Sequence, residues 1–365
     1  MQPASRHYAY QNCSTLILRR IILFSFILVS VFIFSCTKEV YLTGEALVKD
    51  GKYDSSFPHL STAEYVEDII KSVQPVSSMA YYSNYYYRTS DQVTESVLKG
   101  QMFKEMAISQ EPSNTNVRGS ATIIYSGDRR VALLTSAHVV DFPDTILTYY
   151  TDLEGQNTEY LQSIAVKTRQ MNYVSTLPRL RDQSMDIIAI DRQTDVAIIG
   201  GVMEEDLPGT ARALEYPLGN SRELRWGDFI YVLGYPKGKR MVTSGIVSQP
   251  NSGGMSNFLV DAPFNIGLSG GIVLAIRDGV PNFEVVGITN SVSADFENIL
   301  SPPDTIDTAE IIDERPYSGE LYVRRRSRIN YGVTNVVSAE AVRALIQENR
   351  QNFFERGYNL RSFIR

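Results

Sequence analysis

The sequence predicts an all-β fold built from antiparallel strands, arranged as barrels or as a sandwich. From residue 119 onward, short apolar segments are separated by turn-forming residues, a pattern typical of antiparallel strands. No helical pattern alternates with these segments, which argues against the strand–helix–strand repeats of a parallel sheet. The predicted strands are 121–125, 131–135, 187–190, 196–199, 229–233, 243–247, 258–260, 272–276 and 284–289.

Length and composition support a globular protein of one or two domains. The chain has 365 residues, of which 43% are hydrophobic and 21% charged, so it can bury a substantial core. Its net charge of −6 provides no basic surface for nucleic acid, which we therefore do not expect as a partner.

The N-terminal segment has the pattern of a secretion signal. Arg19 and Arg20 precede an apolar run over 21–34, which is shorter than the ~20 residues of a membrane-spanning helix. The run ends in Ile33-Phe34-Ser35-Cys36, which resembles the lipobox of bacterial lipoproteins, with Cys36 as the lipidation site. We expect a signal peptide over 1–35; the alternative is an uncleaved signal anchor. Both place the remaining chain in the bacterial cell envelope, outside the cytoplasmic membrane.

The cysteine positions agree with this interpretation. The chain has two cysteines, of which Cys13 lies in the predicted signal peptide and Cys36 is the predicted lipid site. The folded part then contains no thiol, which excludes both a disulfide framework and a cysteine nucleophile.

Several elements are expected before residue 119. A polar tether over 36–60 is followed by Ser61-Thr62-Ala63-Glu64, which has the pattern of a capping box opening a short helix through about residue 72. The tyrosine-rich stretch 81–87 indicates an amphipathic strand, with an aromatic binding platform as the alternative. Residues 90–110 have the pattern of a helix and a loop.

Two stretches of the β-rich part resemble insertions. These are the loops predicted over 151–185 and 293–328; the second contains Pro302, Pro303 and the basic run 324–326, which indicates a solvated loop. At the C-terminal end, Ser338 and the spacing of apolar residues predict an amphipathic helix over 338–349.

Three residues suggest nucleophilic catalysis. Ser269 lies in Gly267-Leu268-Ser269-Gly270-Gly271, where the glycines allow a tight turn that exposes one hydroxyl. His138 follows the predicted strand 131–135 and is the one histidine of the β-rich part, which makes it the candidate general base. Asp195 precedes the apolar strand 196–199, so it is the candidate for the acid that orients the imidazole.

Other carboxylates are alternatives to Asp195, and another scaffold is an alternative for the segment around Ser269. Asp182, Asp186 and Asp191 lie in the same region, and Asp191 is expected to cap a turn. The segment around Ser269 also fits the serine turn of α/β-hydrolases, but no histidine follows it, as that scaffold requires. No pair of histidines has the spacing of a metal site, and we expect no metal and no cofactor.

Along the chain the candidate histidine comes first, the aspartate second and the serine third. The motifs in this order resemble those of trypsin-like serine proteases, and most closely the bacterial HtrA/DegP type without a PDZ module. The resemblance covers 119–293 and includes segments 135–140 around His138, 191–197 around Asp195, 233–236, 243–248 and 286–289. It implies two six-stranded antiparallel β-barrels with the active site between them, and peptide or protein substrates. It also implies an oxyanion hole formed by the N–H groups of Gly267 and Ser269. The expected protease domain is 61–355, with its core at 119–293 and the helix 338–349 closing it.

A second serine segment competes with Ser269. Asn251-Ser252-Gly253-Gly254 also resembles the serine motif of the family, but Ser252 directly follows the predicted strand 243–247 and no apolar strand comes after it. Ser269 is followed by the strand 272–276 and is therefore preferred as the nucleophile.

The sequence departs from the family pattern at Leu268 and Ile272, which replace an acid or amide and a proline. Leu268 cannot form the ion pair with which zymogen-type members lock the oxyanion loop, so activation by N-terminal cleavage is not expected. In trypsin an acid six residues before the serine selects Lys or Arg, and Pro263 has that offset here. The expected substrate pocket is apolar and includes Pro263, Phe264, Ile266 and Thr289.

Two functions without catalysis remain as alternatives. A trypsin-like fold on a lipoprotein could serve as an inactive binding module, and the replacement at Leu268 favours this alternative. A surface-adhesion lipoprotein would use the tyrosine-rich stretch 81–87.

Overall fold

The computed structural model describes most of the chain after residue 48. The described residues are 49–100, 102–152, 155–182, 184–251, 256–302, 319 and 321–364. The chain divides into the units Met1–Val48 and Lys49–Arg365, and the first lies outside the described residues, as do the predicted signal peptide and Cys36. Within the described part, no helix is both long and apolar enough to cross a bilayer.

The first half of the folded unit forms a seven-stranded antiparallel sheet. Its strand order is β4-β5-β1-β2-β3-β7-β6, so the sheet curls without closing. The strands are β1 (Val73–Tyr86), β2 (Ser109–Gly127), β3 (Arg130–Ser136), β4 (Thr145–Thr151), β5 (Asn157–Tyr173), β6 (Asp186–Asp191) and β7 (Val196–Val202).

The second half forms a closed six-stranded barrel. Its strand order is β10-β13-β12-β11-β8-β9, and every pairing is antiparallel. The strands are β8 (Phe229–Gly234), β9 (Met241–Gln249), β10 (Asn257–Val260), β11 (Ile272–Ile276), β12 (Phe283–Ser301) and β13 (Tyr322–Ser338).

The α-helices are short and lie at the ends of the sheets. They are α1 (Ala63–Ile69), α2 (Ala137–Val140), α3 (Ala339–Glu348) and α4 (Arg350–Glu355), with 3₁₀ turns at Ile70–Ser72, Thr89–Asp91, Glu95–Gly100, Met102–Lys104, Ser221–Glu223 and Pro236–Gly238.

The all-β prediction is confirmed, and each of the nine predicted strands lies within an observed strand. The first sheet has seven strands instead of the six that the resemblance implies, and two of them, β4 and β5, were not predicted; β5 lies in the predicted insertion 151–185. In this strand Leu161 and Ile164 are fully buried while most of their neighbours are partly or fully exposed. Because β5 has so few buried apolar residues, its sequence does not show the pattern of a strand. The second predicted insertion also begins and ends in strand, since β12 and β13 pair as far as Ser301 and Tyr322.

The tyrosine-rich stretch is a strand, as predicted. Tyr82 and Tyr85 of β1 are buried, and the Tyr82 hydroxyl donates a hydrogen bond to the carbonyl of Pro143. Tyr87, which follows β1, is also buried and donates to the carbonyl of Phe103. These tyrosines build a core, which weakens the alternative of an aromatic binding platform. Residues 90–110, predicted as a helix and a loop, form 3₁₀ turns and the start of β2.

The predicted capping box is not formed. Helix α1 begins at Ala63, and its N-cap residue Thr62 makes no side-chain capping bond. The Thr62 hydroxyl is instead 2.9 Å from the hydroxyl of Tyr231 in β8. A tertiary contact with the barrel therefore replaces the local cap.

Helix α3 closes the core between the two sheets, as predicted. The Ser338 hydroxyl accepts a hydrogen bond of 3.3 Å from the N–H of Ala341, which caps the helix. Val342, Leu345 and Ile346 are buried in a cluster with residues of β3, β7, β11 and β12. This apolar cluster joins the seven-stranded sheet to the barrel.

Part of the predicted tether packs on the barrel. The ring of Tyr53 is 1% exposed and lies 4.1 Å from the Arg277 guanidinium. Its hydroxyl donates to Glu284 at 2.6 Å, and burial raises the pKa of Tyr53 above its usual value. Arg277 also pairs with Glu284 at 3.0 Å and with Glu223 at 2.7 Å. The packed structure therefore includes residues before the predicted boundary at 61.

Candidate active site

The histidine and the aspartate meet at one end of the seven-stranded sheet. His138 lies in the one-turn helix α2, directly after β3, and Asp195 lies in the turn between β6 and β7. The imidazole Nδ1 is 2.6 Å from Asp195 Oδ2, and the backbone N–H of His138 donates to Oδ1 at 2.8 Å. One carboxylate thus fixes both the main chain and the ring of the histidine.

This arrangement decides which nitrogen carries the proton. An ionised carboxylate only accepts hydrogen bonds, so Nδ1 of His138 must donate and Nε2 is left as the acceptor. The carbonyl of Asp195 also accepts a hydrogen bond of 3.1 Å from the N–H of Ala137. Asp195 has a φ of +61°, in the left-handed region, and its bonds to helix α2 hold it there.

The turn before Asp195 is supported by its own polar contacts. Asp191 accepts from the hydroxyl of Thr194 at 2.6 Å and from the N–H of Gln193 at 2.8 Å, which confirms that it caps the turn. These hydrogen bonds lower the pKa of Asp191. Arg192 forms a two-pronged ion pair with Asp141, the residue that ends α2.

The two other carboxylates that were alternatives to Asp195 have no described contact with His138. Asp182 is exposed, and Asp186 forms a 3.6 Å ion pair with Arg356.

Ser269 lies in a turn of the barrel that packs against the seven-stranded sheet. Gly270 has a φ of +79°, and a Cβ there would lie 2.2 Å from the carbonyl of Ser120 and 2.4 Å from the Thr135 hydroxyl. Only glycine allows this approach. The carbonyl of Ser269 accepts a hydrogen bond of 2.7 Å from the N–H of Ser120, and Ser136 donates to the carbonyl of Thr289 at 3.2 Å. The turn that carries Ser269 is therefore held beside β3, the strand that leads into His138.

The Ser269 hydroxyl forms its hydrogen bond with a strand of the barrel in this structure. It donates a 3.0 Å hydrogen bond to the carbonyl of Asn290, which follows Thr289 in β12. Among the described contacts, none joins this hydroxyl to His138. A turn about the Cα–Cβ bond of serine changes the acceptor without moving the backbone.

Two backbone N–H groups, one on each side of Leu268, form the candidate anion site. The carbonyl of Ile266 accepts a hydrogen bond of 3.1 Å from the N–H of Lys237. Because a trans peptide is planar, this bond directs the N–H of Gly267 to the opposite side. Within the described structure, the N–H groups of Gly267 and Ser269 make no hydrogen bond. Both predicted oxyanion donors are thus available to a ligand.

The residues of the expected pocket separate into two pairs. Pro263 and Ile266 are exposed, with Ile266 71% exposed. Phe264 is buried in the barrel core, and Thr289 is fully buried, with its hydroxyl donating to the carbonyl of Leu268 at 2.6 Å. The competing Ser252 lies outside the described residues.

Sequence reasoning missed two residues that shape this site. Ser120 is fully buried, and its hydroxyl donates to the carbonyl of Gly267 at 2.7 Å. Lys237 contributes only its backbone N–H, so its side chain gives no signal. The small residues 119–121 at the entry of a predicted strand are the one feature that could have indicated a close approach.

No candidate metal site was found among the described residues. They contain no group of three or more His, Cys, Asp or Glu side chains placed to hold an ion.

Comparison with known proteins finds a family that resembles the part of the chain around the site. Residues 119–288 match the family described as the trypsin-like peptidase domain. Among curated proteins, none is significantly similar to this chain. The crystal structure of the serine endoprotease from Yersinia pestis is 16% identical, with a TM-score of 0.38, and the alignment covers 81% of this chain and 68% of that chain.

The observed strand pairing defines the fold of this protein. The family match spans His138, Asp195 and Ser269. Residues 119–288 are therefore similar to the trypsin-like peptidase domain, and the closed barrel and the curled sheet of this protein fit a trypsin-like two-barrel fold.

Proposed function

We propose that this protein is a membrane-anchored serine endopeptidase that uses His138, Asp195 and Ser269 as its catalytic triad. The observation that carries the proposal is the pair of hydrogen bonds that the ring and the main chain of His138 donate to Asp195, beside the turn that bears Ser269. A histidine that is held by a half-buried acid and lies near a serine is the arrangement that nucleophilic acyl transfer requires.

Acylation begins with a proton transfer. Nε2 of His138 accepts the proton of the Ser269 hydroxyl while the serine oxygen bonds to the carbonyl carbon of a peptide. The imidazolium then donates that proton to the leaving amine as the C–N bond breaks, which leaves an acyl-enzyme ester on Ser269. Asp195 keeps the ring in the correct tautomer and stabilises its positive charge.

Deacylation repeats these steps with water. His138 accepts a proton from water, whose oxygen attacks the ester carbon, and then returns the proton to the serine oxygen. In both halves the negative charge on the carbonyl oxygen is stabilised by the N–H groups of Gly267 and Ser269. One such donor is worth on the order of 3 kcal/mol in comparable sites.

The hydrogen bond from Ser269 to Asn290 does not oppose this mechanism. Before acylation the hydroxyl must rotate from the carbonyl of Asn290 toward His138. Such a neutral hydrogen bond contributes about 1 kcal/mol, which is small beside the stabilisation that the site supplies.

The proposed substrates have small or medium apolar residues before the scissile bond. Pro263 stands where an acid would select a basic residue, and Ile266 offers an exposed apolar surface next to the nucleophile turn. A panel of peptides that differ only at this position is expected to be cleaved fastest with Ala, Val or Leu. A strong preference for Lys or Arg would refute the proposed specificity.

The proposed anchor is a lipid on Cys36. Palmitate labelling of the full-length protein in a bacterial host should be lost in Cys36→Ser, with Cys13→Ser as the control that retains it. Labelling that persists in Cys36→Ser would refute the anchor without affecting the catalytic proposal.

An inactive binding module is the second candidate, and the orientation of the Ser269 hydroxyl favours it. A serine-reactive fluorophosphonate separates the two, because it labels only an activated serine. We expect labelling of the wild type, loss in Ser269→Ala, and retention in Ser252→Ala, the matched control at the competing serine. A folded wild type that is not labelled would favour the binding module, and labelling lost in Ser252→Ala would reassign the nucleophile.

A further inference from the structure

The residue before the nucleophile is anchored in the barrel core. Leu268 is 3% exposed and belongs to an apolar cluster with residues of β8, β10 and β11. A Cβ at Gly234 would lie 2.4 Å from Leu268 Cδ1, so the glycine at the end of β8 makes room for this side chain. The turn that carries Ser269 is thus attached to the barrel by an apolar side chain.

The backbone of Leu268 is held on both sides. Its N–H donates to the carbonyl of Asn265 at 2.9 Å. Its carbonyl accepts from the N–H of Gly271 at 2.7 Å and from the buried hydroxyl of Thr289 at 2.6 Å. Reversing the Leu268–Ser269 peptide, which carries the N–H of Ser269, would break the hydrogen bonds of the Leu268 carbonyl.

Ser120 attaches the same turn to the seven-stranded sheet. Its buried hydroxyl donates to the carbonyl of Gly267 at 2.7 Å and accepts from the N–H of Tyr235 at 2.7 Å. Its own N–H donates to the carbonyl of Ser269 at 2.7 Å. One residue of β2 therefore binds two carbonyls of the turn.

Taken together, four successive carbonyls of the turn are satisfied away from the anion site. Ile266 is bound by Lys237, Gly267 by the Ser120 hydroxyl, Leu268 by Gly271 and Thr289, and Ser269 by the N–H of Ser120. If the carbonyl of Gly267 or Leu268 turned inward, the buried hydroxyl of Ser120 or Thr289 would lose its acceptor, which is unfavourable. The two N–H donors therefore remain free without any ligand.

We propose that Leu268 and Ser120 are positioning residues that keep the oxyanion donors exposed in the resting protein, through apolar burial and an uncharged hydroxyl instead of an ion pair. This inference rests on the proposed peptidase function for its catalytic consequence. It makes the site ready without cleavage of the N-terminal segment and without substrate-induced folding of the turn.

The test compares Leu268→Ala and Ser120→Ala with the wild type. We expect kcat for an amide peptide to fall about 10- to 100-fold in Leu268→Ala and about 10-fold in Ser120→Ala, with KM changed much less, because the donors act in the transition state. Leu268→Met, which keeps most of the apolar volume, should restore most of kcat.

Leu224→Ala is the matched control. Leu224 is a buried leucine of the same cluster, so its loss should lower the melting temperature while kcat stays close to the wild-type value. If Leu224→Ala lowers kcat as much as Leu268→Ala does, the effect is general destabilisation and the inference is wrong.

Amide hydrogen exchange tests the inference without a measurement of activity. In the folded wild type the N–H groups of Leu268, Gly270 and Gly271 are hydrogen-bonded and should exchange slowly, and Leu268→Ala should remove this protection while the strands stay protected. Unchanged protection in both Leu268→Ala and Ser120→Ala would overturn the inference. A wild type that is not labelled by fluorophosphonate but shows this protection would refute the peptidase proposal alone.

Discussion

The two halves of the candidate site are held in different ways. On the seven-stranded sheet, the ring of His138 is 42% exposed and depends on the single carboxylate of Asp195, whose turn is supported by Asp191 and Arg192. On the barrel, the turn of Ser269 is fixed by buried backbone hydrogen bonds, by the hydroxyls of Ser120 and Thr289, and by an apolar side chain.

The difference follows from what each half must do. In the proposed mechanism the imidazole gains and loses a proton in every cycle, so it needs charged and solvated partners that tolerate both states. The oxyanion donors carry no formal charge and act through fixed direction, which a buried and fully bonded backbone provides. We therefore expect changes on the sheet side to act mainly on activity, with only small effects on folding, and changes on the barrel side to have larger effects on folding.

The largest effect is expected from breaking the histidine–aspartate pair. Asp195→Asn keeps the size of the side chain but favours the wrong tautomer of His138, so kcat should fall roughly 10⁴-fold. Steady-state peptide cleavage measures this, and Asp182→Asn, at an exposed acid of the same region, is the control. A loss below tenfold would mean that Asp195 does not orient the base.

On the barrel side, Gly270→Ala should reduce stability. The new Cβ would approach the carbonyl of Ser120 in addition to the unfavourable positive φ, so the free energy of unfolding should fall by about 2 to 5 kcal/mol. Gly238→Ala isolates the backbone part, because its φ is +72° and a Cβ there would meet nothing within 4 Å. Equal urea-unfolding curves for the two variants would show that the close packing of the nucleophile turn is unimportant.

A smaller effect is expected at the turn before Asp195. Asp191→Ala removes a cap and should cost about 1 kcal/mol at pH 7. The folded protein lowers the pKa of Asp191 below its ordinary value of 3.8, so the stabilisation is present above that value and is lost as the pH falls through the folded-state pKa. The difference between wild type and variant in urea unfolding should shrink from pH 7 to pH 3; a constant difference would contradict the assigned role of the charge.

The smallest effect is expected for the exposed ion pair. The Arg192 side chain is 72% exposed, so Arg192→Ala should change the free energy of unfolding by less than about 1 kcal/mol. Any loss should disappear in high salt, which screens exposed charges. A larger, salt-independent loss of activity would show that the sheet half needs this pair to hold Asp195.

The sequence was sufficient for the strands with continuous apolar runs and for the histidine–aspartate pair. Segments such as 196–199 and 272–276 are buried on both faces, so their composition alone identifies them. It was insufficient for β5, where few positions are buried, and for the start of α1, where Thr62 bonds to Tyr231 instead of forming a capping box.

The parts of the site that could not be predicted depend on contacts between distant segments. Ser120 reaches the carbonyl of Gly267 across the two sheets, and Lys237 uses only its main chain. Neither contact leaves a pattern in the composition or spacing of residues. The sequence shows that Leu268 departs from the family pattern, but only the structure shows that its side chain packs against Gly234.

The packing of Tyr53 has a practical consequence for shortening the chain. A version that starts at residue 61 would lose a fully buried aromatic ring and leave Arg277 and Glu284 beside an open cleft in the barrel wall. A version that starts at residue 49 would retain all of these contacts. A shortened protein should therefore begin before Tyr53, which packs against the barrel, although the polar residues around Tyr53 resemble a flexible leader.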